Sequence, residues 1–149
     1  MTTVDIADRF RRIVEEGIGR GDESVLESYV ANDVVEHQRG NRPGLEGAKG
    51  VAQYLHRSMS EFSLTVEDIV VDGDKVWTRN RARGVSSGSV MGFGPTGDHV
   101  EVDVFDIGRF EDGMLVEHWG IADQLGLLLQ VGFDPRAAAS SRAGNGAAN

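Results

Sequence analysis

Apolar residues recur at helical spacing in the first part of the chain. In residues 4–18 and 48–62 they lie three or four positions apart, with polar residues between them. This pattern predicts two amphipathic helices. A shorter helix is predicted at residues 22–29, and the glycines and proline of segment 39–47 indicate a loop. Three helices therefore precede the first long strand.

From residue 64 the spacing changes from helical to alternating. Residues 64–71 and 75–85, and the two arms of a hairpin around residues 111–113, are typical of half-buried strands. Residues 124–131 are short and apolar, and are predicted to cap the open end of the sheet. Helices followed by a run of antiparallel strands favour an α+β fold, with a curved sheet packed against the helices.

The length and composition indicate one domain. A chain of 149 residues with 40% hydrophobic content can bury a single core, which we place in residues 1–133. Residues 134–149 are small and polar without periodicity, and predict a disordered tail. No apolar run of about 18 residues is present, and the N-terminus lacks a secretory core, so a cytoplasmic location is expected.

Charge and cysteine content narrow the possible functions. The chain has 24 acidic residues against 15 lysines and arginines, a formal net charge of −9. This charge repels nucleic acids and anionic membranes, and no basic patch offsets it. The absence of cysteine excludes thiolate nucleophiles and thiolate metal sites.

The hairpin carries an acid and an imidazole among small apolar residues. A three-residue loop closed by a bulge at residues 111–113 places Asp106 opposite His118, and we favour this register. A two-residue turn would place Asp106 opposite Trp119 instead. A carboxylate can fix the tautomer of a neighbouring imidazole and shift its pKa, so the pair is a candidate for proton transfer. A purely structural cross-strand hydrogen bond would use the same residues.

Two more ionisable residues are candidates for the site. Asp123 follows the last strand, where it is either a general acid or base or a helix N-cap. His37 follows an apolar pair, and either it or Glu36 should face the interior. The histidines show no metal-binding spacing, so we predict that no metal is bound.

The other face of the sheet combines charges with large apolar side chains. Arg79, Arg81 and Arg83 alternate along one strand and match acidic residues on the hairpin, which predicts a surface of paired charges, although three arginines could also bind an anion. Phe105 and Trp119 on this face are too large to leave exposed. We therefore predict that a second copy of the chain covers it, forming a homodimer.

Three segments carry a family resemblance: MGFGPTG (91–97), RFEDGMLVEHW (109–119) and DQLGLLLQVG (123–132). They resemble the SnoaL-like polyketide cyclases of the nuclear transport factor 2-like superfamily. The resemblance in layout extends to about residue 133. It implies a cone-shaped α+β fold around an apolar pocket, dimerisation through the outer sheet face, and ring closure by aldol condensation without metal or cofactor.

The chain departs from this family at the reactive positions. When the turns are superposed, the acid/base aspartate of the cyclases falls on Gly120 and their histidine falls on Asp106. Asp123 matches a second aspartate of the wider family. The resemblance therefore transfers the pocket but not the aldol mechanism, and proton transfer would have to use Asp106, His118, Asp123 or His37.

The leading hypothesis is a cofactor-independent cyclase or isomerase acting on a hydrophobic, polyketide-like intermediate. Asp106 is the predicted base, His118 its proton partner and Asp123 a secondary acid, while orientation of the substrate alone is an alternative source of rate. Predicted substrate contacts are Val102, Val104, Val116, Gly120, Asn80, Tyr54 and Met59.

Two other functions stay open at this stage. One is epoxide hydrolysis or epoxide-opening cyclisation, since superfamily members that open epoxides use an Arg-x-Asp element. This chain has Arg79-Asn80-Arg81 at the corresponding place. The other is a non-catalytic binding protein, for which an apolar face with polar anchors would suffice.

Overall fold

The computed structural model describes residues 2–146 and has an α+β fold, as predicted. The helices are α1 (Thr3–Arg12), α2 (Glu23–Tyr29), α3 (Gly44–Ser58), α4 (Gln124–Gln130) and α5 (Pro135–Gly146), and a π-helical segment (Ile13–Ile18) continues α1. The strands are β1 (Val30–Glu36), β2 (Met59–Asp72), β3 (Lys75–Ser86), β4 (His99–Glu111) and β5 (Met114–Ala122). In this described part of the chain, no helix is long and apolar enough to cross a membrane.

The three predicted N-terminal helices are present. Thr2 and Asp5 form a capping box at the start of α1, and the Asp22 side chain accepts a hydrogen bond from the Ser24 backbone at the start of α2. Helix α3 begins and ends earlier than predicted. Its C-terminal end yields to β2 at Met59, because alternate residues of β2 bury their side chains in the core.

The five strands form one mixed sheet in the order β1-β5-β4-β3-β2. Strand β1 runs parallel to β5, and the other neighbours are antiparallel. Register shifts interrupt β2 and the β4–β5 pair, and such bulges bend a strand and increase its twist. The parallel pairing places the first strand of the chain beside the last one.

The predicted register of the β4–β5 hairpin is wrong. The turn has two residues, Asp112 and Gly113, and a bulge next to Arg109 then shifts the pairing further. Asp106 consequently lies opposite Gly120, and His118 lies opposite Gly108. Beyond the bulge the displacement from the predicted pairing is two residues, so Asp106, His118 and Gly120 stay on their predicted face. Leu115, between the turn and the bulge, is displaced by one residue and is buried in the core instead of lying on the outer face.

The core lies between the helices and the inner face of the sheet. Phe10 of α1 is 1% exposed and meets Phe110 of β4 edge to face, with ring centroids 6.0 Å apart. Leu26 of α2 and Val76 of β3 are fully buried in the same cluster. Polar side chains interrupt the apolar inner face near the middle of β3, β4 and β5, and Ser86 is buried at the end of β3.

A disordered tail was predicted from residue 134, but the structure has helix α5 (Pro135–Gly146) in this segment. Alanine has the highest intrinsic helix propensity, and three alanines follow Arg136. The side chains of residues 134–144 are exposed, so this helix adds nothing to the core. Residues 147–149 of the predicted tail lie outside the described part of the chain.

Candidate active site

The structure brings Asp106 and His118 into direct contact on the inner face of the sheet. His118 Nε2 lies 2.9 Å from Asp106 Oδ1, although the two residues are not paired across the hairpin. The contact is diagonal, and it is possible because Gly120, which does lie opposite Asp106, has no side chain. Asp106 is 8% exposed, so the acid is largely removed from solvent.

A second carboxylate, from Glu36, approaches the other side of the imidazole ring. His118 Nδ1 lies 2.9 Å from Glu36 Oε1 and 3.0 Å from Oε2. Glu36 ends β1, and the parallel pairing places it beside His118 in the sheet. Glu36 was not predicted to be a site residue. The available signal was its position beside His37, where one of the two had to face inward.

Asn80 completes a chain of four side chains. Its Nδ2 donates to Asp106 Oδ2 over 2.7 Å, and Asn80 is fully buried in the middle of β3. The backbone N–H of Gln38 donates to Glu36 Oε1 over 2.7 Å. Both carboxylates are thus held by donors besides the imidazole, which fixes the geometry of the cluster Glu36–His118–Asp106–Asn80.

The two carboxylates favour the charged form of the imidazole. Burial alone would lower the pKa of His118, but the hydrogen bonds and charges of Asp106 and Glu36 outweigh it and raise the pKa to about 9. Burial also opposes the charge on Glu36, yet the contact with His118 lowers the pKa of that carboxyl below its usual value. At neutral pH His118 is therefore an imidazolium, and it contacts the ionised Glu36 on one side and Asp106 on the other.

Gly120 lies in a crowded position beside this cluster. A Cβ atom at residue 120 would lie 2.6 Å from Asp106 Oδ1 and 3.0 Å from His118 Cε1, and would also overlap Gln38 Oε1. The side-chain amide of Gln38 thus occupies the space in which another residue at position 120 would begin. Gly120 was predicted from the sequence to be a site residue, but its neighbour Gln38, which follows β1 in a loop, was not.

The other two candidate acid/base residues lie outside the cluster. Asp123 is exposed and caps α4, where its side chain accepts a hydrogen bond from the Gly126 backbone over 2.8 Å. His37 faces the opposite side of the sheet, stacked on Trp119 with ring centroids 4.8 Å apart. The structure therefore groups Asp106 and His118 with Glu36, and not with His37.

The predicted substrate contacts are distributed over the inner face and its border. Asn80 belongs to the cluster, Val102 and Met59 are buried in the hydrophobic core, and Tyr54 is 41% exposed on α3. Val104, Val116 and Gly120 are partly buried on β4 and β5. Their contact with a substrate stays a prediction.

The outer face has the predicted mixture of charged and apolar side chains. Arg81 contacts Asp103 and Glu101, and Arg79 contacts Asp68 at 2.7 Å. This confirms the predicted pairing of charges and leaves no arginine of β3 directed at the inner cluster. The apolar residues around a shallow depression of about 490 Å³ on this face are Val70, Trp77, Phe105, Ile107, Trp119 and Ile121.

Comparisons with known proteins agree with this architecture. The profile of the SnoaL-like polyketide cyclase family matches residues 8–131. The chain belongs to the SnoaL-like polyketide cyclase family. No curated protein matches the chain.

Several solved structures resemble this SnoaL-like protein over nearly all of its length. IdmH of Streptomyces antibioticus, described as a candidate polyketide cyclase, is 36% identical, with a TM-score of 0.75 over 86% of this chain and 99% of IdmH. TsrD of Streptomyces laurentii is 26% identical, with a TM-score of 0.77 over 89% of this chain and 98% of TsrD. AclR of Streptomyces galilaeus, described as a candidate hydroxylase, is 24% identical, with a TM-score of 0.79 over 90% of this chain and 100% of AclR. At this level of identity the similarity supports the fold alone.

Within the described residues, no group of three or more His, Asp or Glu side chains is arranged to hold a metal ion. Both ring nitrogens of His118 face carboxylates at hydrogen-bonding distance instead. These side chains are suited to holding and moving protons, which is the chemistry that the cluster can perform without any added group.

Proposed function

We propose that this protein is a cofactor-independent cyclase or isomerase that acts on a hydrophobic, polyketide-like intermediate. The observation that carries the proposal is the contact between the buried Asp106 and His118, in a chain that belongs to a polyketide cyclase family. Cyclisation and isomerisation of polyketones both begin with removal of a proton next to a carbonyl, which needs a positioned base.

Asp106 is the proposed base. Its Oδ1 is held by His118 and its Oδ2 by Asn80, so the carboxylate is fixed rather than free to rotate. Partial burial limits competition from water, and the imidazolium compensates the charge of Asp106 before the proton moves. Asp123 is the proposed secondary acid; its side chain is exposed and caps α4, so it would have to leave the cap to reach a substrate at Asp106. His37 would take part only after a rearrangement, because it lies on the outer face.

The proposal is tested by assaying the purified protein with linear and partly cyclised poly-β-ketone substrates, with products followed by mass spectrometry. We expect Asp106→Asn to lower kcat at least about 100-fold, the usual contribution of a general base. Asp33→Asn, which changes an exposed aspartate of β1, serves as the control and should retain activity.

Substrate orientation gives a different outcome in the same assay. If orientation supplies the rate, Asp106→Asn retains turnover and Val104→Phe, which fills space on the inner face, abolishes it. Retention of wild-type kcat by Asp106→Asn would contradict the assignment of Asp106 as the base.

Epoxide opening and simple binding are the alternative functions. In the structure Arg79 pairs with Asp68 on the outer face, so the Arg-Asn-Arg segment does not supply an inward arginine for epoxide activation. Incorporation of oxygen from labelled water would nevertheless identify hydrolysis. Recovery of unchanged ligand after prolonged incubation would identify a binding protein.

We also propose that the protein works as a homodimer in the cytoplasm. Support for the dimer comes from the outer face, where Phe105 is 54% exposed and Ile121 is 76% exposed. Exposed apolar surface of this kind is stabilised when a second copy covers it. The proposed partners are therefore another copy of this chain and a hydrophobic small molecule, with no nucleic acid or membrane.

A further inference from the structure

Neither the family resemblance nor the hairpin pattern predicts the contact between Glu36 and His118. It comes from β1, yet its carboxylate bridges the Nδ1 side of the same imidazole whose Nε2 contacts Asp106. The Glu36 side chain is 12% exposed, the His118 side chain 16% and the Asp106 side chain 10%. Three titratable groups thus form a short row that solvent barely reaches.

We propose that Glu36 is the second carboxylate of a proton relay, in which the His118 ring gives its Nδ1 proton to Glu36 when Asp106 takes a proton from the substrate. The inference rests on the proposed function, because it states how the charge of the cluster is redistributed when Asp106 takes a proton from the substrate. Glu36 acts through His118, so it is a positioning and relay residue rather than the group that contacts the substrate.

The proton balance of the relay is simple. At rest both ring nitrogens carry a proton and both carboxylates are ionised. When Asp106 accepts a proton from the substrate, the negative charge beside Nε2 is lost, and the Nδ1 proton moves to Glu36. The ring becomes neutral and keeps its Nε2 proton, both acids are neutral, and the single negative charge now resides on the substrate enolate. Reversal of the same transfers returns the proton to a different substrate atom.

The geometry favours this transfer over a fixed ion pair at Asp106 alone. The contacts on the two sides of the ring are equally short, at 2.9 Å, so each ring nitrogen has a carboxylate within the hydrogen-bonding distance that proton transfer requires. The Gln38 backbone N–H stabilises ionised Glu36, and Asn80 stabilises ionised Asp106. The relay therefore joins two acceptors of similar surroundings.

The charged groups that face the ring are Glu36 from β1 and Asp106 from β4. Asn80, from β3, contributes an uncharged amide to Asp106. The neighbouring Glu117 on β5 points to the other face, where it contacts Arg109 and His37. Removal of the Glu36 charge should thus lower the pKa of His118.

The first experiment needs no substrate. The ring nitrogens of His118 are followed by NMR during a pH titration of the full-length protein, and His118→Gln assigns its signals among the four histidines. We expect Glu36→Gln to lower the His118 pKa by about 1–3 units, the usual effect of an adjacent opposite charge. Glu36→Asp should restore part of the shift, and Glu27→Gln, which removes a carboxylate that pairs with Lys49, should leave it unchanged.

The second experiment uses the substrate on which the wild-type protein is active. Glu36→Gln should lower kcat by about 10-fold or more with little change in KM, because a general acid/base group contributes about 100-fold or more. The pH profile of kcat should shift to lower pH, because loss of the Glu36 charge lowers the pKa of His118. A structural role alone would leave the pH profile unchanged in the folded variant. Glu36→Asp is expected to recover a large part of kcat.

The two proposals fail in distinguishable ways. A wild-type protein that turns over no polyketone would overturn the proposed function, whatever the NMR titration shows. An active wild-type protein whose folded Glu36→Gln variant keeps the same His118 pKa and the same pH profile would overturn the relay and leave Asp106 as the base. If Glu36→Gln does not fold, the His118 pKa and the pH profile of kcat are measured on Glu36→Asp instead.

Discussion

At the scale of single residues, the site concentrates charge where water is scarce. Asp106, His118 and Glu36 are each less than one-fifth exposed at the side chain, and each is hydrogen bonded. A buried charge without a partner is strongly destabilising, whereas a paired and hydrogen-bonded group is tolerated. The three residues are therefore interdependent, and substitution of any one of them should change the properties of the other two.

The first prediction concerns the pH dependence of stability. The pKa of His118 is about 9 in the folded protein and 6.5 in the ordinary reference state. The protonated imidazole therefore stabilises the fold fully below about pH 6.5, and this contribution is lost as the pH rises to about 9 and beyond. One pKa unit corresponds to about 1.4 kcal/mol, so the loss is on the order of 3 kcal/mol.

Urea denaturation at about pH 7 and about pH 10 measures this loss. The control is His118→Gln, which has no imidazole to deprotonate and should show a smaller decline in the free energy of unfolding over the same range. Equal declines in the two proteins would show that other groups, such as lysines and tyrosines, account for the effect.

The second prediction concerns Gly120. Addition of a single methyl group, in Gly120→Ala, should destabilise the protein by about 1–3 kcal/mol, because Asp106 and Gln38 occupy the space around the new Cβ atom. Thermal denaturation measures the change. In a Gln38→Ala background the cost should be smaller, since one of the two obstacles has been removed.

Gly50→Ala is the matched control for this substitution. It lies within α3, and its Cβ atom would meet only Arg42 Nη2, at 3.7 Å. Alanine is favoured over glycine inside a helix by about 0.5–1 kcal/mol. A stabilising Gly50→Ala together with a neutral Gly120→Ala would show that the site is less crowded than the structure indicates.

The site residues differ in how far they could be predicted from sequence. Asp106 and His118 were predicted to share a face, and they do because the pairing beyond the bulge is displaced by two residues, which keeps the alternation of side chains. Glu36 was missed because it reaches His118 through a parallel pairing between distant segments, and no local pattern encodes that pairing. Gln38 was missed because loop conformation determines where its side chain lies.

At the scale of elements, the β4–β5 hairpin determines the geometry of the site. Asp112 and Gly113 both have positive φ angles, of 49° and 78°, as a tight two-residue turn requires. The carbonyl of Gly113 accepts a hydrogen bond from Arg9 over 2.8 Å, which joins the turn to α1. The turn and the bulge together set which residues of β5 lie near Asp106.

The third prediction tests this turn. Gly113→Val should destabilise the protein by about 1–3 kcal/mol, because a β-branched residue is strained at positive φ. Asp112→Asn should change the free energy of unfolding by less than about 0.5 kcal/mol, since asparagine tolerates the same conformation. Equal urea midpoints for Gly113→Val and the wild-type protein would contradict the assigned turn.

The hairpin also shows why register is harder to predict than strand position. The residues of the turn were identified correctly, but the loop length was overestimated by one residue and the bulge beside Arg109 was not anticipated. Each error shifts the pairing by one residue, and together they preserve the predicted faces beyond the bulge but not at Leu115. The helices were easier to place, because their apolar spacing and capping residues are local signals, although the end of α3 depended on its competition with β2.

At the scale of the whole molecule, the two faces of the sheet have different roles. The inner face packs on the helices and contains the acid–imidazole cluster, whereas the outer face carries apolar residues bordered by ion pairs. The α+β class followed from the order of helices and strands along the chain. The mixed character of the sheet was not predicted, because the pairing of β1 with β5 joins the first and the last strand of the chain.

The fourth prediction tests the outer face as a dimer interface. Ile121→Lys and Val70→Lys, at positions 76% and 63% exposed, should shift the protein from dimer to monomer, because a charge in a covered apolar patch is unfavourable. Light scattering coupled to size-exclusion chromatography measures the mass. Val4→Lys, on α1, is 76% exposed as well and should leave the mass unchanged.

Two results would contradict this interface. A wild-type protein that is monomeric at every concentration would exclude a stable dimer. A dimer that persists in both lysine variants would place the contact elsewhere on the molecule.

The pairing of β1 with β5 has a consequence for when the acid–imidazole cluster can form during synthesis of the protein. Glu36 leaves the ribosome early, whereas His118 lies in the last strand to emerge. A nascent chain that lacks residues 114–122 has no imidazole to join its two carboxylates. The cluster of Glu36, His118 and Asp106 therefore assembles only when β5 docks between β1 and β4.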